Sequence, residues 1–219
     1  MMKTLRYAIH DLRRGAIPWI LHKSHLRSIF SWVHVLLLEV SLPAPLNVKT
    51  RLVAYAKLAD KEDISRLAKQ FKKFQKGEAE KRVKAGNLCF VAYVNGKIAH
   101  YRWIAFGPTD IKHVWGKLQI GSNSVYSFDA YTVPEYRGLG LGPFVFKNTL
   151  YYLNKKRVSK LYALIDKNNK SSIRAAQKQG YRLVGEIIFR QILKYRYFRY
   201  EGQTVEGQQT MERIVSFEA

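Results

Sequence analysis

The chain has 219 residues, 47% of them hydrophobic and 13% aromatic, enough to bury the core of one α/β domain and too apolar for a disordered tail. Its 38 Lys plus Arg against 16 Asp plus Glu give a formal charge of +22, which favours polyanionic partners and argues against polycationic substrates. One cysteine excludes an internal disulfide framework and points to a reducing, cytoplasmic compartment.

Residues 1–45 read differently from the rest. Basic and aromatic residues are mixed (Arg6, Tyr7, Arg13, Arg14, Trp19, His22, Lys23, Arg27, Trp32), an apolar run covers 29–42, and Pro43 and Pro45 break it. The run carries His34 and Glu39 and is too short to cross a bilayer as a helix, so no transmembrane segment is predicted. Two readings stay open: a peripheral segment lying on anionic lipid or a partner, and an added helix and strand packed on the main domain.

From residue 51 the pattern is regular. Residues 51–58 alternate as a strand; 59–63 offer a helix start, with Ile64, Leu67, Ala68 and Phe71 following at helical spacing. Residues 72–84 read as a second, charged helix. Two apolar strands, 88–94 and 97–106, are joined by Asn95-Gly96, a strong hairpin signal because both turn positions need positive φ. Another strand covers 125–133 and ends at Pro134, while Pro143 suits the first turn of a helix whose apolar face is Phe144, Phe146, Leu150 and Leu153. A strand at 160–165, a helix at 171–179 closed by Gly180, strands at 182–193 and 195–200, and a polar tail follow. The order is βαα-βββ-α-β-α-ββ. This divides the chain into an extension (1–45), a main domain (46–202) and a tail (203–219).

The sharpest local signal is a strand, then Arg137-Gly138-Leu139-Gly140-Leu141-Gly142, then a helix. Three glycines in five residues let the backbone approach a ligand, and amides at a helix start favour an anion. The Lys-Ser/Thr ending of a P-loop is absent, and no acidic residue ends the next strand as a dinucleotide fingerprint requires. Taken alone, the turn is equally well read as a tight strand-to-helix connection.

Preceded by Tyr131-Thr132-Val133-Pro134-Glu135-Tyr136, the sequence Arg137-x-x-Gly140-x-Gly142 resembles the acetyl-CoA motif of the GNAT N-acetyltransferase superfamily. Residues 169–181 (NKSSIRAAQKQGY) resemble that family's second cofactor motif, and the resemblance runs over residues 50–195. It implies a mixed, mostly antiparallel central sheet with helices on both faces, splayed central parallel strands, and a bulge within 125–133. The implied reaction moves an acetyl or acyl group from acetyl-CoA, or another acyl-CoA, to a primary amine by direct attack in a ternary complex, without a metal. Amides of Gly138, Leu139, Gly140, Leu141 and Gly142, with Arg137, would hold the pyrophosphate. Thr132 and Val133 would pair with the pantetheine arm, Asn169 would contact that arm or cap the next helix, and Ser172 would face the cofactor. Many members carry a tyrosine that protonates the leaving thiolate; here that position is Ala176, and Tyr131 and Tyr151 are the candidates to replace it.

Attack on a thioester needs a neutral amine, hence a proton acceptor. Alternation along 125–133 places Ser127, Asp129, Tyr131 and Val133 on one face. A carboxylate inside that apolar strand needs a partner or a task, so Asp129 is read as base, substrate anchor or structural hydrogen-bond group. His100 and Tyr101 are the next candidates for substrate contact, and Cys89 reads as core packing. The interleaved stretches Phe71-Lys72-Lys73-Phe74 and residues 194–200 would suit a stacking nucleic-acid binder. No helix-turn-helix, zinc or RNA-recognition signature accompanies them, so nucleic acid ranks below CoA. An acidic acyl carrier protein is an alternative donor, and a homodimer and an anionic membrane surface complete the partners considered. The expected acceptor is a small neutral or anionic amine such as an amino sugar or amino acid.

Overall fold

The computed structural model describes residues 30–44, 50–111, 116–192 and 195–217; the basic stretch of residues 1–29 and the break at Pro45 lie outside them. In chain order the elements are β1 (Phe30–Ser41), β2 (Tyr55–Leu58), α1 (Lys61–Gln70), a 3-10 turn (Lys72–Phe74), α2 (Glu78–Lys84), β3 (Leu88–Val94), β4 (Lys97–Phe106), β5 (Thr109–Ile111) and β6 (Gly116–Leu118). Then come β7 (Ser124–Thr132), a second 3-10 turn (Pro134–Tyr136), α3 (Leu141–Lys155), β8 (Lys160–Asp166), α4 (Lys170–Lys178), β9 (Arg182–Ile192), β10 (Tyr195–Gly202), α5 (Val205–Ile214) and β11 (Val215–Phe217).

Local chemistry accounts for the boundaries. Asp60 caps α1 in a reciprocal box with Asp63, each side chain accepting from the other's backbone N–H, which satisfies two otherwise orphaned donors. Asn95 and Gly96 take φ of 49° and 74°, as the two-residue hairpin turn demands. The single helix expected over 72–84 is split instead. Lys76 and Gly77 both adopt positive φ (62° and 75°), which no α-helix tolerates, so a 3-10 turn and the short α2 replace it.

Eight strands form one sheet in the order β10-β9-β1-β8-β7-β4-β3-β2, and β11-β6-β5 form a small second sheet. Within the large sheet every neighbouring pair is antiparallel except β7 and β8. That parallel pair runs only from Ser124 opposite Lys160 to Ser127 opposite Ala163. Beyond it β7 continues to Thr132 and β8 to Asp166 without pairing to each other, so the middle of the sheet opens into a gap. Along its other edge β7 carries a bulge: Tyr101 faces Tyr131 and Trp103 faces Phe128, leaving Asp129 and Ala130 opposite Arg102.

Helices α3 and α4 cover one face of the sheet, burying Leu36, Leu38, Ile104, Val125, Phe146, Leu153, Ala176 and Tyr181. The opposite face is covered in two parts. Over β2, β3 and β4 lie α1 and the 3-10 turn, around Leu67, Phe74, Tyr101 and Trp103. Over β8, β1 and β9 lie α5 and the small sheet, around Leu37, Leu118, Phe189, Met211 and Ile214.

Two segments set apart in the sequence carry elements of the fold. The extension set apart at residues 1–45 contributes β1, which fills the slot between β8 and β9 and is antiparallel to both. Glu39 on β1 is buried yet accepts from Arg182 of β9 (2.7 Å) and Lys160 of β8 (3.1 Å). Burial works to raise its pKa, but the two cations outweigh it and hold the carboxyl below its usual value. The pairing pins the register, since a one-residue slip would turn every side chain over. The tail after residue 202 is likewise structured, as α5 and β11. Its core positions include Gly207 and Thr210, which a hydrophobic pattern does not reveal. No helix among the described residues is long and apolar enough to cross a membrane.

Candidate active site

The glycine-rich turn leads from β7 into α3. Gly138 and Gly140 take φ of 76° and 87°, conformations open to glycine at little cost. Gly140 stands at the N-cap of α3 with no side chain bonding the first amides. The Leu139 carbonyl is drawn away to the Arg51 N–H (3.1 Å) and the Thr50 hydroxyl (3.2 Å). That leaves the N–H groups from Gly138 to Gly142 without partners among the described residues, at the positive end of a fifteen-residue helix dipole. A Cβ at Gly138 would meet nothing within 4 Å, so the turn borders open space. Arg137 is exposed, donates through Nε to the Thr132 carbonyl (3.1 Å), and lies 5.6 Å from the centre of the Tyr131 ring. The arrangement fits a phosphate-bearing ligand such as CoA.

Thr132 and Val133, the pair expected to meet a pantetheine arm, differ from one another. Val133 donates its N–H to Ala99 and accepts at its carbonyl from Tyr136, so its backbone groups are already used. Strand alternation turns the Thr132 amide the other way, into the gap between β7 and β8. Since the Thr132 carbonyl accepts from Arg137, its amide alone is open to that task. Its hydroxyl is 2.7 Å from His100 Nδ1, and a Cβ on Gly142 would lie 3.7 Å from His100 Cε1, so His100 sits directly under the turn. Burial first, and the charge of Arg102 second, push the His100 pKa down to about 3. The ring is therefore neutral at physiological pH, with Nε2 unpartnered among the described residues. Arg102 is buried on the same face, donating to Gln179 Oε1 (2.9 Å) and Ser127 Oγ (3.3 Å) and lying 4.6 Å from the Phe146 ring centre.

The other face of the gap holds the carboxylate. Simple alternation had set Ser127, Asp129 and Tyr131 on one side; the bulge breaks it, so Ser127 points toward α3 with Arg102 while Asp129 and Tyr131 point toward α1 and α2. Asp129 has φ of 49°, the left-handed region that Asp enters more readily than most residues. Nor is it unpartnered: Arg82 of α2 donates to Oδ2 (2.6 Å) and Lys73 of the 3-10 turn donates to Oδ1. Around them stand Phe71, Phe74, Tyr101, Trp103, Phe128 and Tyr131. Lys73 Nζ lies 4.7 Å from the Tyr101 ring centre, 5.1 Å from Phe74 and 5.8 Å from Tyr131. Tyr101 and His100, paired in the sequence reading, thus serve opposite faces. Lys73 and Arg82 were missed because their partner lies 47 to 56 residues away; the one available signal, the Lys-aromatic run at 71–74, suggested a nucleic-acid surface instead.

The remaining candidates sort by position. Asn169 caps α4, accepting from the Ser172 N–H (3.1 Å), and Ser172 is half-buried. Ala176 is packed in the core under α4. Tyr151 is 66% exposed with Lys155 over its ring, remote in character from a buried acid, whereas Tyr131 borders the gap. Burial pushes the Cys89 thiol far up, consistent with packing and not with nucleophilic chemistry.

The family model described as the acetyltransferase (GNAT) family matches residues 52–181, more than half of the chain. Among solved structures, an acetyltransferase from the GNAT family of Colwellia psychrerythraea is similar at 12% identity and TM-score 0.53, covering 74% of this chain and 56% of that one. A putative acetyltransferase from the GNAT family of Novosphingobium aromaticivorans is similar at 13% identity and TM-score 0.54, covering 80% and 66%. The chain thus spans between about half and two thirds of those structures, and at such identity the likeness is one of fold. Comparison with curated proteins gives no match.

Proposed function

The chain belongs to the GNAT acetyltransferase family, and on that premise we propose that it transfers an acetyl or other acyl group from a CoA thioester to the primary amine of a small molecule. The observation that carries this reading is the junction of two half-sites at one gap: uncapped, glycine-opened amides on the α3 face, and a carboxylate within an aromatic wall on the other. The thioester supplies an acyl carbon open to nucleophilic attack. Gly138 to Gly142 and Arg137 hold the phosphates, and the Thr132 amide steadies the arm that enters the gap. The neutral His100, hydrogen-bonded to Thr132, fixes that strand end without adding charge. Asp129 anchors the incoming ammonium and takes up a proton as the nitrogen attacks. With Ala176 at the position of the family's tyrosine, Tyr131 is the side chain closest in kind to a proton donor for sulfur. A CoA thiol, near the free-thiol pKa of about 8.5, also leaves tolerably as thiolate.

The test is calorimetric titration with CoA alongside thiol release over a panel of amino sugars, amino acids and simple alkylamines. Gly140→Asp is the informative control. Aspartate accepts positive φ better than most residues and sets its own carboxylate against the same amides. Loss of CoA binding by tenfold or more, with little change in Tm, is expected. Undiminished binding would remove the phosphate assignment.

A further inference from the structure

Among the described residues that pair with the Asp129 carboxylate, Lys73 carries a primary amine where Arg82 carries a guanidinium. Its Nζ is held by the Asp129 carboxylate and faces three aromatic rings at 4.7 to 5.8 Å. A carboxylate plus aromatic faces is the set that recognises an ammonium on an alkyl stem. Asp129 belongs to the bulge of β7, alongside the stretch where β7 and β8 part. A ligand whose phosphates rest at α3 reaches this side of the sheet through that gap. Lys73 remains 44% exposed, on a side chain with four rotatable carbons.

Resting on the acyltransferase reading, we propose that Lys73 is a self-acylation site: its Nζ occupies the acceptor-ammonium subsite and takes the acyl group in cis. Nζ gives up one proton through Asp129 to solvent and attacks the acyl carbon. The N–C bond forms, the C–S bond breaks with its electron pair passing to sulfur, and the nitrogen's second surplus proton ends on the CoA thiol. The product is a neutral amide. Asp129 then keeps Arg82 alone, and the aromatic subsite loses its resident cation. Free acceptors of the same kind, primary amines on an unbranched stem, would compete with Lys73 for this subsite.

The wild-type protein is incubated with acetyl-CoA, digested with a glutamate-specific protease and mapped by mass spectrometry. Acetylation of Lys73 approaching one group per chain, at least tenfold faster than at the other lysines, is expected; Gly140→Asp should suppress it, and Lys73→Arg should show none there. A readout free of acyl donor is binding of n-butylammonium to Lys73→Ala, absent in wild type and in Lys73→Ala/Asp129→Asn. If the protein binds CoA and acetylates an added amine while Lys73 stays unmodified or no faster than the surface lysines, self-acylation is overturned and the acyltransferase reading stands. If CoA does not bind at all, both fall.

Discussion

Replacing Asp129 in parallel by Asn, Ala and Gly separates what its charge does from what its backbone does. The residue sits at φ of 49° within the bulge. Asn enters that region about as readily as Asp, so Asp129→Asn removes the charge alone. Arg82, its side chain 14% exposed, keeps Glu78 at 3.1 Å, and the more exposed Lys73 rehydrates, so the loss should be about 1–2 kcal/mol. Ala adds the left-handed penalty, about 1 kcal/mol more; Gly carries no such penalty and should fall near Asn. At about 2–4 °C per kcal/mol for a domain of this size, Asn lowers Tm by roughly 2–8 °C and Ala by about 2–4 °C beyond that. Urea melts supply the stabilities, calorimetry the CoA affinity, and thiol release the turnover. CoA affinity should stay within about twofold, since the carboxylate lies across the sheet from the glycine turn, while kcat drops about tenfold or more. Equal stability of the Asn and Ala variants would refute the backbone argument. Full turnover by Asp129→Asn would remove the residue from the chemistry.

Acid should weaken the fold through His100. Its folded pKa of about 3 lies below the unfolded value of 6.5, so below pH 6.5 the unfolded chain binds a proton that the folded one refuses. Stability then falls by about 1.4 kcal/mol per pH unit down to about pH 3, and His100→Asn should flatten denaturant midpoints measured between pH 6.5 and 5. An unchanged slope would show that the ring protonates in place. Gly202→Ala tests the seat of α5: the new Cβ would stand 2.1 Å from the Gln208 nitrogen and 2.4 Å from its Cα. Both are backbone atoms, so the helix must lift from β10, costing about 3 kcal/mol or more; a melt within 2 °C of wild type would contradict that contact.

Elements whose signals are local were legible in the sequence. Asn95-Gly96, the glycine turn and the Asn169 cap each act through neighbours within a few residues, and each forms where its chemistry places it. What the sequence concealed depends on distant partners or on a count that changes mid-strand. One extra residue at Asp129–Ala130 reverses which face the residues after it occupy, and periodicity alone cannot say where it is inserted. Lys73 and Arg82 read as solvated charge until the fold brings Asp129 to them. β1 looked separable because its partners, β8 and β9, begin more than a hundred residues later. The glycine turn was therefore readable, and the partners of Asp129 were not.

That placement of β1 has a consequence during synthesis. A ribosome adding about 5–20 residues per second needs on the order of ten seconds to pass from Ser41 to Lys160, where the first pairing strand begins. For that interval the sequence VLLLEV has no sheet to enter, and the β2–β7 half of the domain can assemble without it. The nascent chain thus carries an unpaired, strongly apolar strand until β8 emerges, a segment suited to holdase chaperones and prone to association between neighbouring chains on one polysome.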